Sequence, residues 1–151
     1  MQRLLPVKEE LDLILVVDEE KEFFLHPKAA YAWHAMKGAA KKDGIQLCIF
    51  SAFRSAIRQK EIIENKRLKG FPESEIFRVS APAGFSEHHS GRAIDMTTKG
   101  YSPLTETFED SDAFYWLQQQ ALGFGFTLSY PRENNSGIAY EPWHWLHHTE
   151  T

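Results

Sequence analysis

The chain has 151 residues, with Lys+Arg 17 against Asp+Glu 21 and a formal net charge of −4, a mildly acidic balance without a basic run that argues against nucleic acid or a membrane as partner. One domain, spanning residues 1–151, is expected at this length, and 42% apolar with 25% charged residues excludes wholesale disorder. A single cysteine, Cys48, excludes an internal disulfide framework and any multi-cysteine zinc site.

The first ten residues carry a proline and charges where an apolar leader would sit. The apolar run at 13–17 is far short of the roughly 20 residues a membrane helix needs. As it stands, the sequence is expected to be soluble, cytoplasmic and monomeric, or periplasmic or extracellular if a leader was trimmed or the protein is a lysin. A β-branched strand is predicted at 11–17. Pro27 suits a helix first turn, and Ala29, Ala30, Trp33, Met36, Lys37 and Ala40 mark a helix ending at Asp43-Gly44. A short strand at 45–50 enters Ser51-Ala52-Phe53-Arg54-Ser55. Ser55 caps a helix at 56–69 that Gly70 closes. A loop at 80–85 precedes a strand at 92–96. Asp110 or Ser111 caps a helix running to Gln120, and strands at 126–130 and 143–146 flank a polar turn at 134–137. Helices and strands interspersed without βαβ alternation predict a single α+β domain with a central, mostly antiparallel sheet flanked by helices.

Histidine is distributed unevenly: five of seven lie in His88-His89 and His144, His147, His148. His88 and Asp95 would be about 10 Å apart along one helix and about 23 Å along one strand. Two ligands of one zinc, each about 2 Å from it, cannot be so far apart. A shared metal therefore demands a bend, and Gly91 permits one. Beyond the bend a strand puts Ala93 and Asp95 on one face, with room for an ion beside the small residue. Glu141-Pro142-Trp143-His144 adds a carboxylate three residues before a histidine. Two ligands from the first segment and one from the second leave a fourth position for water, the arrangement of a catalytic zinc. Glu141 is the natural base. Against this stands the plain alternative that isolated histidines and aspartates are surface or hydrogen-bonded residues, and that His147-His148 is a solvated tail.

Ser86-x-His88-x-x-Gly91-x-Ala93-x-Asp95, followed by Glu141-Pro142-Trp143-His144, closely resembles the VanY-type zinc D-alanyl-D-alanine carboxypeptidases. That group is related to VanX-type dipeptidases, phage L-alanyl-D-glutamate endopeptidases and the Hedgehog domain. Ser51 to Ser55 with Gln59 is similar to the family's Ser-Gly-Tyr-Arg-Ser segment, and the likeness extends from about Ile45 to His144. It implies a Hedgehog/DD-peptidase-like fold, one zinc ion held by His88, Asp95 and His144, and Glu141 as general base and acid. It implies too that Arg54 contacts the substrate carbonyl or carboxylate, that Ser86 lines the substrate site, and that Gln59 supports the arginine. The implied activity is removal of a terminal D-Ala from peptidoglycan stem peptides or their precursors. The alternatives are L-alanyl-D-glutamate endopeptidase cleavage, as in phage lysins, or a non-catalytic Hedgehog-like zinc module. The chain departs from the pattern at Ala52 and Phe53, at Ser129 where many relatives carry a basic residue, and at Trp145-Leu146-His147-His148. That last departure leaves His147 and His148 as candidates for a supporting or ligating role.

Overall fold

In the computed structural model, which describes residues 4–148, the first apolar run forms half of a hairpin. Residues 1–3 and 149–151 of the expected domain lie outside the described residues. Strand β1 (Ile14–Asp18) pairs antiparallel with β2 (Lys21–Leu25), a strand the sequence did not announce. The two residues between them, Glu19 and Glu20, both have positive φ, 48° and 66°. Positive φ at both central positions is the geometry of the tight hairpin turn, which glycine and asparagine usually occupy. Two glutamates there hide the turn from a sequence reader.

Helix α1 (Pro27–Lys42) buries Ala29, Ala30, Trp33, Met36 and Ala40, the face its spacing predicts. Strand β3 (Cys48–Ser51) follows, with a register irregularity between Ile49 and Ser51 just before the Arg54 segment. Helix α2 (Ala56–Leu68) starts where expected, the Ser55 hydroxyl accepting from Arg58 N at 3.0 Å. Helix α3 (Glu73–Val79) was not anticipated: it is seven residues long and buries only Ile76, too little for a periodic signal. Strand β4 (Ala93–Thr97) is buried through Met96. Helix α4 (Asp112–Gln120) is capped by Ser111 rather than Asp110, and β5 (Phe126–Leu128) and β6 (His144–His147) complete the fold.

The main sheet has the order β3-β4-β6-β5 and every neighbouring pair is antiparallel, as predicted. Alternation along the strands divides its two faces. Ile94 and Met96 of β4 and Trp145 of β6 join a core built with Trp33 and Met36 of α1 and Phe114 and Leu117 of α4. Ala93 and Asp95 fall on the opposite face. The register Asp95↔His144 then delivers a histidine 49 positions away to the side of that aspartate. Among the described residues no helix is long and apolar enough to cross a membrane.

Candidate metal centre and active site

The bend required between His88 and Asp95 is present. Ser86 accepts from His88 N at 3.2 Å and starts a single 3₁₀ turn, Glu87–Ser90, which ends at Gly91 with φ 71°. A Cβ at Gly91 would lie 2.7 Å from Leu13 Cδ2 and 2.9 Å from the backbone nitrogen of His26, so glycine is required for space as well as for torsion. The chain turns back into β4 and brings His88 Nε2 to 3.1 Å from Asp95 Oδ2. On the other side His144 Nδ1 lies 3.0 Å from Asp95 Oδ1. One donor atom from each of these three buried residues lies within 4.8 Å of the others. Two imidazole nitrogens and a carboxylate suit zinc, and this donor set leaves a coordination position open.

Both imidazoles are held from behind. His88 Nδ1 donates to the carbonyl of Ala52 at 2.6 Å, leaving its Nε2 lone pair facing the cluster. His144 Nε2 meets Glu87 Oε1 at 2.8 Å, and the Ser129 hydroxyl donates to that same oxygen at 2.6 Å. Glu87 occupies a variable position of the recognised motif, so nothing in its immediate sequence marks it out. Burial opposes charge on Asp95, but the facing imidazoles of His88 and His144 outweigh it and hold the carboxyl well below the usual range. Burial likewise opposes charge on His144, yet its two carboxylate partners lift it to about 10 in the metal-free protein.

Glu141, Arg54, Gln59 and Ser86 line the same cavity as the three candidate ligands, with a volume of about 550 Å³. Glu141 Oε1 sits 3.8 Å from His144 Nδ1, beside the cluster. Burial raises its pKa to about 7, the nearby His144 charge opposing the rise. Arg54 donates from Nη1 to Gln59 Oε1 and from Nη2 to Ser51 Oγ, each at 2.9 Å. Gln59 is anchored in turn by its amide, which donates to the Ala81 carbonyl at 2.7 Å. Gln59 thus links the Arg54 guanidinium to the backbone at Ala81.

His89 joins two loops of the site. Fully buried, it donates from Nδ1 to the Arg54 carbonyl at 2.7 Å and accepts from Gly84 N at 3.1 Å through Nε2. His147 and His148 do not join it. His147 alternates to the other face of β6 and packs on Phe126, while His148 Nε2 meets Thr127 Oγ1 at 2.6 Å. The strand pleat separates His147 from His144, and His148 lies four positions along the chain, just past the end of β6. A second acidic group, Asp18 and Glu19 beside Cys48, already holds the Lys37 ammonium and is a structural ion pair.

An antiparallel α+β sheet with this cluster on its polar face defines a peptidase-type fold. It superposes on the LD-carboxypeptidase LdcB with a TM-score of 0.81 at 34% identity, covering 92% of this chain and 69% of that one. VanYB in complex with D-alanine-D-alanine gives a TM-score of 0.76 at 25% identity, covering 94% and 81%. The model of the VanY D-alanyl-D-alanine carboxypeptidase family matches residues 22–150, and the chain belongs to that family. It is 34% identical to YodJ of Bacillus subtilis (strain 168), over 95% of this chain and 56% of that protein. It is 31% identical to the bifunctional D-Ala-D-Ala dipeptidase and carboxypeptidase VanXYC of Enterococcus gallinarum, over 87% and 71%. A D-alanyl-D-alanine carboxypeptidase of Enterococcus faecium is 42% identical over 83% of this chain but only 38% of its own length. The chain thus spans about half the length of most of these curated relatives.

Proposed function

We propose that this chain is a zinc-dependent D-alanyl-D-alanine carboxypeptidase acting on peptidoglycan stem peptides or their precursors. The observation that carries this reading is the convergence of His88, Asp95, His144, Glu141 and Arg54 on one cavity. His88 through Nε2, Asp95 through its carboxylate and His144 through Nδ1 would hold the ion. Zinc bound there supplies Lewis-acid polarisation of a carbonyl and of a water. Glu141, partly buried and facing the cavity, takes the water proton and returns it to the leaving amine. The Arg54 guanidinium, fixed by Gln59 and Ser51, offers its donors to the oxyanion that develops as the carbonyl is attacked. Ser86 lines the cavity beside His88 and contributes a polar contact to the peptide.

A second reading, removal of D-Ala from an L-configured neighbour, is supported by the likeness to LdcB. Incubation of the zinc-loaded protein with defined muropeptides, read by mass, separates the possibilities. Loss of one alanine from a pentapeptide stem is the expected result. Loss only from a tetrapeptide selects the second reading. Cleavage after L-Ala selects the endopeptidase, and no cleavage of any stem selects a binding module.

A further inference from the structure

Glu87 is a polar group beside this site to which the motif gives no role, and the geometry gives it one. Its side chain is one-quarter exposed and comes from the same 3₁₀ turn that carries His88. It reaches across to β6 and ends 2.8 Å from Nε2 of His144. The other nitrogen of that ring, Nδ1, faces Asp95 at 3.0 Å, and the second oxygen of that carboxylate meets His88 Nε2 at 3.1 Å. A single imidazole offers only one of its nitrogens to a given metal, and a neutral ring carries its proton on the other.

We infer that Glu87 is a positioning residue of the metal centre: it holds the Nε2 proton of His144, so that the Nδ1 lone pair is presented to the ion. The inference rests on the reading of His144 as a ligand. The opposite tautomer would aim an N–H at the metal and set the Nε2 lone pair against a carboxylate oxygen at 2.8 Å, two acceptors without a proton between them. Ser129 completes the arrangement. Its hydroxyl donates to Glu87 Oε1 at 2.6 Å, which fixes the rotamer without a cation that would compete with His144 for the carboxylate. Flanking rings restrain the imidazole further, Tyr130 at 4.8 Å and His88 edge-on at 5.0 Å between centroids. Glu87 therefore orients one ligand while its chain neighbour, His88, is another.

The test measures metal rather than turnover. Zinc affinity is determined by competition with a chromophoric chelator, and the cobalt(II)-substituted proteins are compared by visible absorption. Glu87→Ala should bind zinc about 10–100-fold more weakly and show an altered cobalt spectrum. Glu87→Gln, whose amide oxygen accepts the same N–H, should recover most of the affinity and a spectrum close to wild type. Ser129→Ala should fall between them. Should Glu87→Ala fail to fold, Glu87→Met fills the volume without an acceptor and takes its place. Zinc affinity within twofold of wild type in the acceptor-free variant, with an unchanged spectrum, overturns the inference even if the metal-free melting temperature falls. His144→Ala separates this outcome from failure of the underlying reading. If that variant binds zinc as tightly as wild type, His144 is no ligand and both readings fall.

Discussion

At the scale of single residues, the site depends on positions where no substitute has the right shape or charge. Gly91 is the clearest. Its positive φ and the 2.7 and 2.9 Å approaches to Leu13 and His26 leave no room for a methyl group. Gly91→Ala should destabilise the protein by about 2–4 kcal/mol and weaken zinc binding, because the turn that aligns His88 with Asp95 must open. Urea unfolding with and without zinc checks both effects. Glu141 makes a second prediction, in two parts. Glu141→Gln should retain zinc while turnover falls by about 10²–10⁴-fold, measured as alanine release against bound metal. The same substitution should alter stability in a pH-dependent way. The folded metal-free protein raises the Glu141 pKa from 4.5 to about 7, so it binds this proton more tightly than the unfolded chain. That contribution is complete below about pH 4.5 and is lost as pH rises through about 7. In chelator, Glu141→Gln should therefore be more stable than wild type by about 3 kcal/mol at pH 8 and by only about 1 kcal/mol at pH 5. Equal stability at both values would show that the carboxylate is solvated.

At the scale of elements, one buried carboxylate ties three of them together. Asp18 closes β1, accepts from Ile49 N of β3 at 2.9 Å and pairs with Lys37 of α1. The hairpin is also joined to the Arg54 segment where Phe53 N donates to the Phe24 carbonyl at 3.0 Å. Asp18→Ala strands a backbone donor and a half-buried ammonium together, and should destabilise by about 3 kcal/mol on chemical denaturation. Lys37→Met, which keeps the Ile49 bond, should lose distinctly less. The loops at 99–109 and 132–137 are fastened by a similar device. Arg132 Nη2 meets both oxygens of Glu109 at 2.8 Å and its guanidinium lies 4.2 Å over the Tyr140 ring, on the rim of the cavity.

At the scale of the whole molecule, the proposed metal centre makes stability depend on zinc. The three candidate ligands come from the 3₁₀ turn, β4 and β6, and are adjacent only when the sheet is assembled, so a zinc ion held by them would bind the native state in preference to the unfolded chain. At a free zinc concentration 1,000-fold above Kd the gain is about 4 kcal/mol, which corresponds to a rise in melting temperature of about 10 °C for a domain of this size. Thermal scans in zinc and in chelator should show that difference, and Asp95→Ala should abolish it. A zinc-independent melting temperature in the wild type would contradict the assignment.

Much of this was legible in the sequence, and the physics says which part. The caps at Ser55 and Ser111, the buried face of α1, the need for a bend at Gly91 and the chemistry of the donor set follow from local spacing and residue type. Strand β2 and helix α3 were not legible, one because two glutamates occupy a turn that normally advertises itself with glycine or asparagine, the other because a single buried residue makes no period. The Glu141-Pro142-Trp143-His144 motif singles out His144 and leaves His147 and His148 as candidates for a supporting or ligating role. The register of β4 on β6 places His144 against Asp95 and sends His147 to the core face. Glu87 became visible for the same reason, since its partner lies 57 positions away. Local sequence determines which groups can bind a metal and where the chain can turn. Which groups meet is decided by non-local strand register, and that register is set by the packing of the whole sheet.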